Sequence, residues 1–239
     1  MQLIRSLLFS AVMTLSTVFV AILIVLLAPL PFRVLSRIGS LYAGFIVSAL
    51  KVICGIDYQV RGLENIPQGA GIIFCNHQSA WETYALQIFF PPQVWVLKRE
   101  LMWLPFFGWG MAALKPIAID RSSGSKAVKQ IIQQGKQRLA DGLWVTIFPE
   151  GTRVAPGKVK KWGIGGAVLA EHSGYPVVPV VHNAGEFWGR RKLIKKPGTI
   201  QVIIGPLIET RGLKAGEINA QAQAWMESAS HEINRSRTD

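Results

Sequence analysis

The strongest constraint on this chain lies at its start. From Leu7 to Phe32 no residue is charged, and the stretch contains VFVAILIVLLAPL before Pro29 and Pro31 close it. As a helix, Leu7–Leu30 covers ~36 Å at ~1.5 Å per residue, enough for a hydrocarbon core of ~30 Å. The run is longer than the ~7–15 apolar residues of a signal peptide and shows no small-x-small cleavage site. Arg5 precedes it, while Arg33, Arg37 and Lys51 follow. This excess of positive charge on the C-terminal side predicts a main domain on the cytoplasmic face of the inner membrane. A second apolar segment, Ile38–Ile53, is short for a span and suits a helix that lies in the interface or doubles back. One true span and a pair of helices dipping into one leaflet both satisfy the pattern. Residues 1–54 are expected to be the anchor and 55–239 one globular domain.

The remaining composition narrows the function. The 26 Lys+Arg against 14 Asp+Glu give a formal charge of +12, yet half the residues are hydrophobic and only 17% are charged. That is too apolar for a disordered or nucleic-acid-binding tail, and no nucleic-acid module is recognisable, so nucleic acid is not an expected partner. Eight tryptophans and a positive mean hydropathy point to a membrane. A basic surface there favours anionic headgroups or phosphorylated substrates. Cys54 and Cys75 form no zinc spacing or disulfide framework and are expected as buried free thiols.

Beyond Gly55, short β-rich runs alternate with helical patterns. Asp57–Arg61, Gly71–Cys75, Val94–Leu97, Pro116–Asp120, Trp144–Phe148, Val177–Val181 and Ile200–Ile204 are expected strands. Ser79–Phe89, Ser125–Ala140, Gly165–His172 and Ala215–Ile233 are expected helices. Alternation on this scale predicts an α/β fold, a mixed sheet covered by helices, carried on the N-terminal apolar helical anchor. There is no internal repeat or low-complexity linker.

Two segments carry chemistry. In Asn76-His77-Gln78-Ser79-Ala80-Trp81-Glu82 a histidine and a carboxylate stand five positions apart. A neutral imidazole can take a proton from an alcohol near neutral pH, and a fixed carboxylate can hold its tautomer and stabilise the imidazolium. Ser79-Ala80-Trp81-Glu82 also fits an S-x-x-E capping box, which would make Glu82 structural. In Phe148-Pro149-Glu150-Gly151-Thr152-Arg153, a hydrophobic strand ends in a turn that leaves Glu150, Thr152 and Arg153 where substrate-binding groups commonly sit. Arginine offers a planar fork for phosphate. A turn with a surface ion pair is the alternative.

Together these segments resemble the lysophosphatidic acid acyltransferases, also called 1-acylglycerol-3-phosphate acyltransferases. Asn76–Glu82, Ile117–Arg121, Phe148–Arg153 and Val178–Val180 look like that family's four motifs in order and spacing, and Lys98-Arg99-Glu100-Leu101 with Pro105-Phe106-Phe107-Gly108-Trp109 extends the likeness. It spans roughly Tyr58–Leu207. The resemblance implies a glycerolipid acyltransferase-like fold and transfer of a fatty acyl group from acyl-CoA or acyl carrier protein, as co-substrate, to the sn-2 hydroxyl of a lysophospholipid, giving phosphatidic acid. It implies no cofactor and no metal. His77 would be the general base and Glu82 its orienting partner, with direct attack on the thioester; no G-x-S-x-G nucleophile elbow is present. Arg121, Glu150, Gly151, Thr152 and Arg153 fall on acceptor-binding positions, and Pro179 on the motif associated with acyl-donor contacts and packing.

The chain departs from the pattern in two places. The first motif usually ends in Asp, and here it ends in Glu82. The second usually reads G-x-x-F-I-x-R, whereas Lys115–Arg121 keeps the arginine but has lost the glycine and the phenylalanine. A glutamate, one methylene longer, can still reach the imidazole if the backbone adjusts; the second departure bears on the acceptor more than on the reaction, so another lysolipid, such as a lyso-ornithine lipid, stays open. So does a non-catalytic protein that binds lipid or a carrier. His172, His182 and His231 lack metal spacing and are expected as surface or packing residues. Lys158–Lys161 and Arg190–Lys196 are expected either as solvated faces or as sites for anionic lipid, carrier protein or coenzyme A phosphates. Trp103, Phe106, Phe107 and Trp109 are expected mostly in the core, with an interfacial or acyl-channel role as the alternative.

Overall fold

A computed structural model describes residues 1–235, with the side chain of Arg121 outside that description. Two long helices open the chain, α1 (Gln2–Leu26) and α2 (Phe32–Cys54). The second begins earlier than the apolar segment Ile38–Ile53, because Pro31 fits the helix N-cap position and starts the turn ahead of Arg33 and Arg37. It is therefore not short: both helices are long and apolar enough to cross a membrane.

There follow β1 (Ile56–Arg61), β2 (Ile72–Cys75), α3 (Trp81–Phe89), β3 (Gln93–Lys98), α4 (Phe107–Ala113), β4 (Ile117–Ile119), α5 (Ser125–Ala140), β5 (Trp144–Ile147), α6 (Gly165–Ser173), β6 (Val177–His182), α7 (Ala184–Phe187), β7 (Gly198–Ile204) and α8 (Ala215–Arg235). The strands form one sheet in the order β1-β7-β6-β2-β5-β3-β4. All neighbours are parallel except β6 and β7, so the expected mixed sheet is observed.

The sheet separates two cores. Along β2, Ile72 and Phe74 point to one side and Ile73 and Cys75 to the other, the alternation every strand imposes. The first side packs against α5, α6 and α8. The second packs against α2 and α3 and takes Phe9 of α1. Strands β2, β5 and β6 are buried along their whole length, as expected for central strands covered on both faces. Cys54 and Cys75 are buried free thiols.

The two N-terminal helices lie along the domain. At one end, Gln2 Nε2 donates to the carbonyls of Cys54 (3.2 Å) and Lys195 (2.6 Å), Ser6 Oγ accepts from Lys195 N (2.9 Å), and Lys195 Nζ donates to Ser10 Oγ (2.7 Å). Lys195 is only 3% exposed, so this member of the 190–196 basic cluster is a buried staple and not a solvated charge. Towards the other end, Gly110 of α4 meets α1 so closely that an added Cβ would stand 3.1 Å from Ala21 Cα. That contact explains why α4 escaped the sequence pattern. Its residues FGWGMAA carry no amphipathic period, and packing against α1 supplies what propensity does not.

The aromatic run beside α4 is not core. Trp103 is 68% and Trp109 55% exposed, with Phe106 and Phe107 also on the surface. Further exposed apolar side chains come from α1 (Leu7, Leu15 and Phe19) and α2 (Leu41 and Phe45).

Candidate active site

The C-terminal ends of β2, β5 and β6 lie side by side, and the loops leaving them bring the two motifs together. In open α/β sheets that edge is where ligands bind. His77 lies just beyond β2 and Phe148 just beyond β5; their rings stack with centroids 4.0 Å apart and 16° between planes. Val154 N donates to the His77 carbonyl at 2.7 Å, which ties one loop to the other.

His77 Nδ1 lies 2.7 Å from Glu82 Oε1. The carboxylate is 1% exposed and is held from below: Oε1 also accepts from Gln78 N (2.9 Å) and Ser79 N (2.8 Å). Ser79 Oγ accepts from Trp81 N at 3.2 Å, so the capping interactions form as well. Glu82 thus caps the start of α3 and holds His77 with the same oxygen. Burial by itself would raise its carboxyl, but His182, His77 and the Ser79 amide more than offset that, and it stays below the usual glutamate range. An ionised carboxylate only accepts, so Nδ1 carries the imidazole proton and Nε2 is left as the basic nitrogen.

His77 opens onto a cavity of about 480 Å³. Lys98, Thr152, Arg153 and Arg190 contribute polar lining, while Val96, Leu97, Leu101, Phe107 and Met111 form apolar wall. Arg190 Nη1 donates to the Arg153 carbonyl at 3.2 Å, so a second guanidinium joins the first. In sequence, Arg190 was one charge in a basic cluster; only the fold singles it out. Cationic lining, a base and an apolar wall in one cavity suit a molecule with an anionic head, a hydroxyl and a hydrocarbon tail.

Residues 57–183 match the family model described as Acyltransferase. A 1-acyl-sn-glycerol-3-phosphate acyltransferase of Pseudomonas aeruginosa is 45% identical over 238 residues, covering 98% of this chain and 93% of that protein. The chain belongs to the 1-acyl-sn-glycerol-3-phosphate acyltransferase family. A human member, 1-acyl-sn-glycerol-3-phosphate acyltransferase beta, is 30% identical over 180 residues, which span 74% of this chain and 65% of the human protein. The crystal structure of the 1-acyl-sn-glycerophosphate acyltransferase of Thermotoga maritima superposes with a TM-score of 0.82 over 98% of this chain and 96% of that one, at 21% identity, and shows the same fold.

The acyltransferase does not gather every residue the sequence nominated. Thr152 and Arg153 line the His77 cavity, but Glu150 does not. Gly151, at φ 67°, turns the chain between them and sends Glu150 behind His77. There Glu150 Oε1 accepts from His77 N at 3.3 Å and Oε2 is buried, while the residue borders a second, more polar cavity of about 270 Å³ with Lys158, Lys160 and His231. Pro179 is buried inside β6, in register with Phe74, and lines neither cavity. Arg121 opens a short 3-10 turn after β4; its side chain lies outside the described residues. Among those residues, no three His, Cys, Asp or Glu side chains form a metal-ion set.

Burial pushes the Glu150 carboxyl from 4.5 up to about 7, against the pull of backbone N–H groups. A carboxyl that holds its proton more tightly when folded loses stability as pH rises through that interval, at ~1.4 kcal/mol per unit. Glu150→Gln keeps an acceptor for His77 N–H and removes the charge. We expect it to gain stability over the parent by up to about 3 kcal/mol at pH 8 and little at pH 5. Urea unfolding at the two pH values measures this, and a difference independent of pH would contradict it.

One histidine expected at the surface or in packing belongs to this site. His172 is exposed and bonds the Val168 carbonyl, and His231 is exposed beside the polar cavity. His182, however, is 2% exposed at the end of β6, with Nε2 3.7 Å from Glu82 Oε2. It follows the apolar run Val177–Val181 and has no acidic or second histidine neighbour, so no local pattern marked it; the adjacency of β6 to β2 brings it there.

Proposed function

We propose that the chain transfers a fatty acyl group from an acyl thioester to the sn-2 hydroxyl of 1-acylglycerol-3-phosphate, giving phosphatidic acid, with His77 as general base. The observation that carries this reading is the Glu82-held imidazole lining one cavity with two arginines and apolar walls. His77 Nε2 takes the hydroxyl proton as the oxygen attacks the thioester carbonyl. The tetrahedral intermediate then collapses, the C–S bond breaks, and the imidazolium returns the proton to the departing thiolate. Glu82 holds the ring and steadies its charge while it carries the proton. Arg153 and Arg190 would grip the phosphate monoester, where a bidentate guanidinium is strongest. The donor is acyl-CoA or acyl carrier protein, both of which present the same thioester.

The anchor fits a lipid acceptor. The domain holds α1 near Ser6 and Ser10 and again near Ala21, so one body lies against most of the helix. This supports a hairpin sunk in one leaflet over a helix that leaves the domain to cross the bilayer. The exposed aromatics near α4 add to the exposed apolar side chains of the two helices. The Arg33 and Arg37 flank favours the cytoplasmic side of the inner membrane.

An acceptor panel tests the reading. Labelled acyl-CoA and acyl carrier protein would be offered with 1-acylglycerol-3-phosphate, a lyso-ornithine lipid and a neutral monoacylglycerol. We expect 1-acylglycerol-3-phosphate to give the highest kcat/KM. Arg153→Ala should raise its KM ~10-fold with kcat changed less than ~3-fold, since binding of the phosphate is lost and the chemical step is kept. Preference for the lyso-ornithine lipid would move the acceptor to that class. No transfer to any acceptor would leave a lipid- or carrier-binding protein.

A further inference from the structure

We propose that His182 is a positioning residue of the catalytic pair: it flanks the second oxygen of Glu82 and clamps the loop that carries His77, and so allows a glutamate to orient the base. The inference rests on the reading of His77 as base.

The two oxygens of Glu82 are chemically equivalent, so their neighbours decide which one faces the histidine. Oε1 is bonded by His77 Nδ1 (2.7 Å), Gln78 N (2.9 Å) and Ser79 N (2.8 Å). Oε2 accepts only Ser79 N, at 3.1 Å, and on its other side meets His182 Nε2 at 3.7 Å. Both side chains are 1% exposed, so bulk water does not compete there.

The tautomer of His182 follows from its other bonds. Ala184 N donates to Nδ1 at 3.1 Å, so Nδ1 carries no proton. The proton is on Nε2, which donates to the Asn76 carbonyl at 2.8 Å. The electropositive N–H edge of a neutral ring is therefore the part of His182 closest to the carboxylate. The main chain of His182 completes the clamp: its N–H donates to Asn76 Oδ1 (3.0 Å) and its carbonyl accepts from Asn76 Nδ2 (2.9 Å). Three bonds thus fix the residue immediately before His77. Packing alone would be served by an apolar side chain, since a buried imidazole is costly unless its polar atoms are used.

The geometry also accounts for the longer acid at this position. An aspartate would draw the carboxylate back by about one C–C bond, ~1.5 Å, and could not reach His77 and keep its second oxygen near His182 at once. The glutamate reaches both.

The test is a kinetic double-mutant cycle on the full-length protein in detergent, with kcat and KM measured separately and folding checked by thermal melting. His182→Leu should lower kcat ~10-fold while the acceptor KM stays within ~2-fold. His182→Gln, whose amide N–H falls near the Nε2 position, should recover activity to within ~3-fold of the parent, and His182→Asn, whose amide falls near Nδ1, should not. In a Glu82→Asp background the contact is already gone, so His182→Leu should cost less than ~2-fold. An equal loss in both backgrounds, a loss confined to KM, or a His182→Leu variant with full kcat would overturn the role. If His182→Leu does not fold, the Gln and Asn variants decide alone, and equal activity in the two counts against it. An inactive parent would instead refute the function proposed for the site, whereas an active parent with an additive cycle would refute only this inference.

Discussion

Replacing His77 with alanine is expected to lower kcat for acyl transfer by ~10³-fold or more while the protein stays folded. A positioned base contributes ~10²–10⁴-fold by itself, and among the described residues His77 is the one imidazole that lines its cavity. The fold should tolerate the loss because the ring sits in a loop, partly exposed, and makes one side-chain hydrogen bond and one stacking contact. Steady-state kinetics beside a thermal melt checks both halves. A folded His77→Ala variant with parental kcat would remove the general base from the mechanism.

The second large effect is expected at Glu82. Glu82→Gln should cost ~10²-fold in kcat and ~2–4 kcal/mol in stability, the range for breaking a buried charged hydrogen-bond set. The cause is geometric. The carboxylate accepts from His77, Gln78 and Ser79, with His182 on its far side. An amide must turn its NH2 towards one of these donors, and either choice opposes a donor to a donor. Glu82→Asp keeps an ionised acceptor and should be milder on both counts. Urea unfolding and kcat at a temperature where each variant is folded separate the two effects. Parental kcat in a folded Glu82→Gln variant would leave Glu82 as a helix cap alone.

The parts of this protein that are local in sequence were legible, and the parts made by long-range adjacency were not. All seven strands announced themselves as short β-rich runs, and α5 showed its amphipathic period from Ser125 to Ala140. The pairing of His77 with Glu82 was readable because a loop and one helical turn bridge five residues. His182, by contrast, is 105 positions from His77 and reaches the site only because β6 pairs with β2. Arg190 joins Arg153 through a backbone carbonyl that no charge pattern encodes. Glu150 misled for a different reason. The motif puts it next to Gly151, but the left-handed turn there separates it from Arg153 and leaves it bordering another cavity. The exposed Trp103 and Trp109 reversed the usual burial expectation, alongside further exposed apolar side chains on α1 and α2.

The central claim is base-catalysed transfer directly from thioester to acceptor alcohol, and a single-turnover measurement tests it most directly. Purified protein and its His77→Ala variant would be mixed with radiolabelled acyl-CoA, with and without 1-acylglycerol-3-phosphate. The release of free thiol and the position of the label would be followed together. The predicted result for the parent is labelled phosphatidic acid, with thiol released only when the acceptor is present and no label on the protein; the variant gives neither product nor thiol. Stoichiometric thiol release without acceptor, label retained on the denatured protein, or equal product from the His77→Ala variant would contradict the account.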